Sequence, residues 1–145
     1  MKKILALVLA LLLTGSAVYA STVPKTDVNS LDPQQVVEAY YKSIQQQDFI
    51  TFQNCLSDGY KLDLWSVQGS DYQNIKEVKG FNVSEARDIR LNEQNFREAQ
   101  VVAEFTAKYY NHNGYTDGKQ TRFIYLAKEK DESSPWKIIS IGTGP

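Results

Sequence analysis

The chain has little of what most reaction chemistry needs. Its 145 residues hold one cysteine, Cys55, and one histidine, His112. A lone cysteine excludes an intramolecular disulfide, although the export reading below would permit one. Its place among Phe49, Phe52 and Leu56 at helical spacing predicts a buried apolar residue rather than a nucleophile, which would want a neighbouring cation or imidazole. A lone histidine with no companion Cys, His or close carboxylate pair gives no metal-ligand spacing, so no metal and no cofactor is expected. His112 reads as a solvated loop residue. Neither sign of charge is in excess. The 16 basic and 17 acidic residues leave a formal net charge of -1, which favours neither nucleic acid nor an anionic membrane as partner. No glycine-rich phosphate loop, serine-centred elbow or basic stripe with interleaved aromatics occurs.

The one long apolar run is near the N-terminus. Lys2 and Lys3 precede ten uninterrupted apolar residues, Ile4 to Leu13, and Gly15-Ser16 breaks the run. Val18-Tyr19-Ala20 then places small residues where a signal peptidase reads them, so cleavage is expected after Ala20. Ten apolar residues are too few to span a bilayer, and no cysteine follows them to carry a lipid. The expectation is a signal peptide over residues 1–20, a protein exported from a bacterial cytoplasm, and no stable membrane anchor afterwards. Removing Lys2 and Lys3 leaves 14 basic against 17 acidic residues, a net charge of -3. Residues 21–31 are polar and aperiodic and read as a flexible leader, with residues 32–145 as a single domain.

Asp32-Pro33 is a helix start, with Asp32 as N-cap and Pro33 in the first turn. Val36, Val37, Tyr40, Tyr41 and Ile44 then recur at three- and four-residue spacing, one apolar face of an amphipathic helix. After Gln46-Gln47, Asp48 can cap a second helix carrying Phe49, Phe52, Cys55 and Leu56, with Gly59 suited to end it. Residues 60–74 lack a period. From Ile75 to Leu91 the pattern turns β-like, with a bulge expected near Glu85-Ala86. Val101, Ala103, Phe105, Ala107 and Tyr109 alternate with polar residues, as in a half-buried strand. Asn111 to Gly118 reads as a hairpin loop. Thr121, Phe123, Tyr125 and Ala127 alternate again, but Ile124 and Leu126 make the second face of that strand apolar too. Asp131 to Pro135 is a further turn and Trp136 to Ile141 a closing strand.

Two helices, a variable middle and a long antiparallel meander form the order of the NTF2-like, or cystatin-like, α+β cone. The chain resembles secreted bacterial members of that superfamily, in particular DUF4829-type domains. The residues that carry the likeness are Val36-Val37-Glu38-Ala39-Tyr40-Tyr41, then Gln47-Asp48-Phe49, and the ending Trp136-Lys137-Ile138-Ile139-Ser140-Ile141-Gly142-Thr143-Gly144-Pro145. The likeness implies N-terminal helices packed on a curved antiparallel sheet, and an extracytoplasmic address. It carries over no catalytic residue.

Enzymes of this cone that resemble ketosteroid isomerases move protons with a pocket carboxylate and a tyrosine, which needs an apolar surround to tune the acid. The acids nearest apolar residues here are Asp58 and Asp63, with Tyr60 adjacent; Asp63, between Leu62 and Leu64, is the more suggestive, and a solvent-facing Asp63 is the plain alternative. Tyr40, Trp65, Tyr109 and Tyr125 are candidates to line a ligand pocket, against ordinary core packing. Three functions follow as expectations. The first is a non-enzymatic domain binding a small ligand or protein partner; the second is an isomerase- or dehydratase-type enzyme using a pocket carboxylate. The third is a homodimer through the sheet face, motivated by Ile124 and Leu126.

Overall fold

The computed structural model describes residues 26–61 and 70–144. The expected signal peptide and most of the expected leader lie outside them, as do Asp63 and Trp65. Helix α1 (Pro33–Gln46) starts on a complete capping box. The Asp32 carboxylate accepts from the Gln35 N–H at 2.9 Å, and the Gln35 side chain accepts from the Asp32 N–H at 3.1 Å. Such a cap stabilises a helix by about 1 kcal/mol. Gln47, in a left-handed conformation (φ 56°), ends α1 and lets Asp48 cap α2 (Phe49–Cys55).

Helix α2 stops earlier than the sequence suggests. Leu56 is extended because it forms a parallel bridge to Ile138, where the Ser57 N–H donates to the Ile138 carbonyl at 2.9 Å. Gly59 therefore lies in a separate helical turn and does not end α2. A further helical turn, α3 (Asp71–Asn74), leads into the sheet.

The sheet has five strands: β1 (Ile75–Val83), β2 (Arg87–Ile89), β3 (Arg97–Tyr109), β4 (Gly118–Lys128) and β5 (Lys137–Gly142). All pairings between them are antiparallel, in the order β1-β3-β4-β5. Strand β2 also pairs with β3, beyond the end of β1. The break between β1 and β2 falls at residues 84–86, where a bulge was expected. Ser84 spans it by donating its N–H to the Val102 carbonyl (2.8 Å) and accepting the Val102 N–H on its hydroxyl (3.0 Å). A register shift between Lys79 and Asn82 contains Gly80 at φ +60°, a bulge that a Cβ would strain. These irregularities bend the sheet around α1. The result is an α+β fold, helices packed on a curved antiparallel sheet.

Val36, Val37, Tyr40, Tyr41 and Ile44 of α1 bury against Val101, Ala103, Phe105 and Ala107 of β3 and Ile124 and Leu126 of β4. Gln34 and Gln45 donate to the carbonyls of Ser84 and Val78, at 2.9 and 2.6 Å, and pin both ends of α1 to the β1–β2 edge. Cys55 is fully buried, and desolvation pushes its thiol up to about 12, the inert state expected for it.

The dimer argument from β4 needs correction. Ile124 and Leu126 are 0% exposed and belong to the core under α1. Register fixes this: Ile124 pairs with Val101 and Leu126 with Ala99. Phe123 and Tyr125 take the outer face. When both faces of a strand are apolar, alternation alone cannot say which one the helix covers.

Candidate functional site

Tyr40 and Tyr41 are adjacent on α1, so their rings leave the helix in different directions and meet edge to face, 5.0 Å apart. Tyr40 stacks on Phe52 of α2 at 5.2 Å. Tyr41 lies against Phe81 of β1 and Phe105 of β3, at 5.1 and 4.7 Å. The Tyr40 hydroxyl donates to the Asp71 carboxylate at 3.2 Å. The Tyr41 hydroxyl, on a residue only 1% exposed, has no hydrogen-bond partner among the described residues.

Asp71 is placed by Asn74. The Asn74 side chain accepts the Asn111 N–H at 2.7 Å and donates to the Asn111 carbonyl at 3.0 Å, while the Tyr110 N–H donates to the Asn74 carbonyl at 2.8 Å. This clamp ties α3 to the β3–β4 hairpin. The sheet contributes Arg122 and Tyr109. Arg122 shares the inner face of β4 with Ile124 and lies opposite Ala103, whose small side chain leaves it room. Its guanidinium donates to the Tyr109 hydroxyl at 3.0 Å and to the Thr121 carbonyl at 3.3 Å. The Tyr109 ring packs on Tyr115 at 4.9 Å.

These groups form one electrostatic unit. Burial pushes the Asp71 carboxyl above its usual range; Arg122 and the Tyr40 hydrogen bond oppose the shift without cancelling it. Burial, with the Asp71 charge added, pushes Tyr40 and Tyr41 well up. Tyr109 and Tyr115 are raised mainly by burial as well. None of the ion pairs among the described residues includes Arg122. Among the described residues the cluster therefore combines a half-buried guanidinium without a carboxylate at contact distance, a carboxyl shifted toward its neutral form, and a buried hydroxyl without a partner.

Residues 34–142 match the family described as a domain of unknown function, DUF4829. The chain belongs to this family. The match runs from α1 to β5, so the whole cluster lies within the DUF4829 domain. No curated protein and no solved structure matches the chain.

Within the DUF4829 domain the structure distributes the sequence candidates unevenly. Tyr40 and Tyr109 are in the cluster, and half-buried Tyr60 is within electrostatic range of Tyr40 and Tyr41. Asp58 is elsewhere. Its side chain is 99% exposed and pairs with Lys61 at 3.2 Å, in a surface cleft shared with Glu129, Lys130 and Lys137. Tyr125 is on the outer sheet face. His112 sits in the exposed hairpin against Asp117 at 3.1 Å. Among the described residues no group of three or more His, Cys, Asp or Glu side chains could hold a metal.

Sequence reasoning missed Asp71 and Arg122. Asp71 follows Gly69-Ser70 and reads as turn chemistry. Arg122 stands two residues before Ile124 and so shares that residue's face, but only the pairing with β3 shows that this is the face the helix covers. A charge on the face that the helix covers is a stronger signal than an acid flanked by leucines.

Proposed function

We propose that this DUF4829 domain is a small-ligand binding module on an NTF2-like scaffold, acting outside the cytoplasm, with its site at the Tyr40–Tyr41–Asp71–Tyr109–Arg122 cluster. The observation that carries the reading is the Tyr41 hydroxyl. A buried polar group left without a partner costs about 1–3 kcal/mol, and an acceptor on a bound ligand would remove that penalty. The curved sheet with helices on one face supports the NTF2-like assignment. The signal-like pattern of residues 1–20 supports the address.

Protein-observed NMR with a fragment set of mixed charge tests the site. Binders should move the ring signals of Tyr41, Tyr109 and Tyr115, and Tyr41→Phe should weaken them. Binders that shift only residues near Lys61 and Lys137 would relocate the site to the surface cleft. Export is tested by expression with the native N-terminus in a bacterial host: the chain should appear outside the cytoplasm, shortened after Ala20. A full-length cytoplasmic product would remove that part of the reading.

Asp71 favours a second reading, an enzyme of the isomerase or dehydratase kind. A carboxyl held above its usual range beside a tyrosine hydroxyl can pass a proton to and from a bound substrate. Asp71→Asn separates the two, because it would abolish turnover yet leave binding of a ligand in place.

A further inference from the structure

Building on that reading, we infer that the site takes a monocarboxylate with a flat apolar body, its carboxylate held by Arg122 and the Tyr41 hydroxyl. Arg122 carries five N–H donors. The described hydrogen bonds direct two of its nitrogens to the Tyr109 hydroxyl and the Thr121 carbonyl. Neither of those acceptors carries a negative charge, and no ion pair among the described residues supplies one. A half-desolvated guanidinium in that state wants an anion, and its planar fork matches the two oxygens of a carboxylate.

The neighbouring groups select for the same chemistry. Tyr41 offers an O–H that is unused among the described residues and close enough to the Arg122 and Asp71 charges to feel both. Asp71, with Tyr40 donating to one oxygen, accepts nothing on its other oxygen among the described residues. In its protonated form it adds a further donor to the incoming anion. Asp71 also sets the charge limit: with one guanidinium present and an acid beside it, a dianion such as a phosphate monoester would leave charge uncompensated. The rings of Tyr109 and Tyr115, 4.9 Å apart and inclined at 36°, supply an aromatic wall beside the guanidinium. An aromatic or unsaturated body fits that wall better than a bulky aliphatic one.

Benzoate, benzamide and benzylamine share a ring and differ in charge, so they serve as probes. Each is titrated into the full-length protein by NMR, following the Tyr41, Tyr109 and Tyr115 ring signals. Benzoate should bind at least about tenfold more tightly than benzamide, and benzylamine should not bind, as expected where a charged hydrogen bond is made. Arg122→Gln should remove that preference, and Arg122→Lys should keep part of it. Tyr41→Phe should weaken benzoate by about five- to tenfold. Folding of each variant is checked by its thermal transition, and the Lys variant keeps the test open if Arg122→Gln does not fold. If benzamide binds as tightly as benzoate, or Arg122→Gln leaves benzoate affinity unchanged, the carboxylate inference is wrong while the site itself stands. If none of the three probes moves any of the three ring signals at millimolar concentration, the inference and the binding reading both fall.

Discussion

Two carboxyl groups near opposite ends of β3 differ in how the fold treats them. Glu98, near its start, is 1% exposed but fully provided for. The Asn92 N–H and the Asn95 side chain donate to it at 3.1 and 2.7 Å, and the Leu91 N–H donates as well. Burial alone would raise this carboxyl; the donated hydrogen bonds outweigh burial and hold it below its usual range. At the other end, the Asp71 carboxylate receives one hydrogen bond among the described residues, from Tyr40, and burial leaves it above its usual range. The first arrangement is what a loop needs to keep its shape. The second leaves polar capacity unspent beside Tyr41 and Arg122, and unspent capacity is what a ligand can use. Burial of an acid is therefore a poor marker of function unless its partners are counted.

The sharpest way to break the contrast is Glu98→Ala, which leaves the donors of the 91–95 loop facing nothing. A loss of about 3 kcal/mol is expected in urea unfolding; a loss below about 0.5 kcal/mol would mean that the loop does not depend on Glu98. Tyr41→Phe is expected to act oppositely at the other end, raising stability by about 1 kcal/mol in the same assay, because it deletes an unpartnered hydroxyl and keeps the ring packing. A destabilised Tyr41→Phe would show that the hydroxyl is already satisfied.

The pH dependence sharpens the comparison further, with opposite signs at the two ends. Glu98, depressed in the folded state, contributes stability that is present above the ordinary carboxylate range and is lost as pH falls through its lowered value. Asp71, raised in the folded state, contributes stability below the ordinary range that is lost as pH rises through its raised value. Asp71→Asn should accordingly flatten the loss on the alkaline side of the carboxylate range, while Glu98→Gln flattens the loss on the acid side. Unfolding curves across a pH series give both, and identical profiles for the two variants would undo the distinction. The smallest effect is expected at Trp136, which Arg97 and Lys128 each approach at 5.8 Å from the ring centroid. Arg97→Gln should lower stability by about 0.5 kcal/mol, since exposed cation–π contacts are worth little.

Much of the fold was legible because its signals are local. Asp32 and Pro33 mark the start of α1 by cap chemistry alone. The alternation from Val101 to Tyr109 needs no partner to be recognised, and the family match supports the DUF4829 likeness drawn from the two ends of the chain. What was hidden depends on contacts across long sequence separations. The end of α2 at Cys55 is set by Ile138, and the inner face of β4 is set by pairing with Val101. The site was hidden for the same reason: Tyr40, Asp71, Tyr109 and Arg122 come from four separate elements, and no short motif joins them. Local reading therefore favoured Asp63, which lies outside the described residues, and beside it Asp58, whose carboxylate is exposed.

The bridge between Leu56 and Ile138 has a consequence for how the chain matures. It joins the segment after the second helix to the last strand, so the first elements to leave the ribosome meet their final neighbour only when nearly the whole length has been synthesised. Until then Leu56 lacks the strand it pairs with, while Phe52 already has Tyr40 of α1 to stack on. Closing so long a loop is slow compared with forming either helix. One backbone pairing thus leaves the end of α2 unfinished until the last strand arrives.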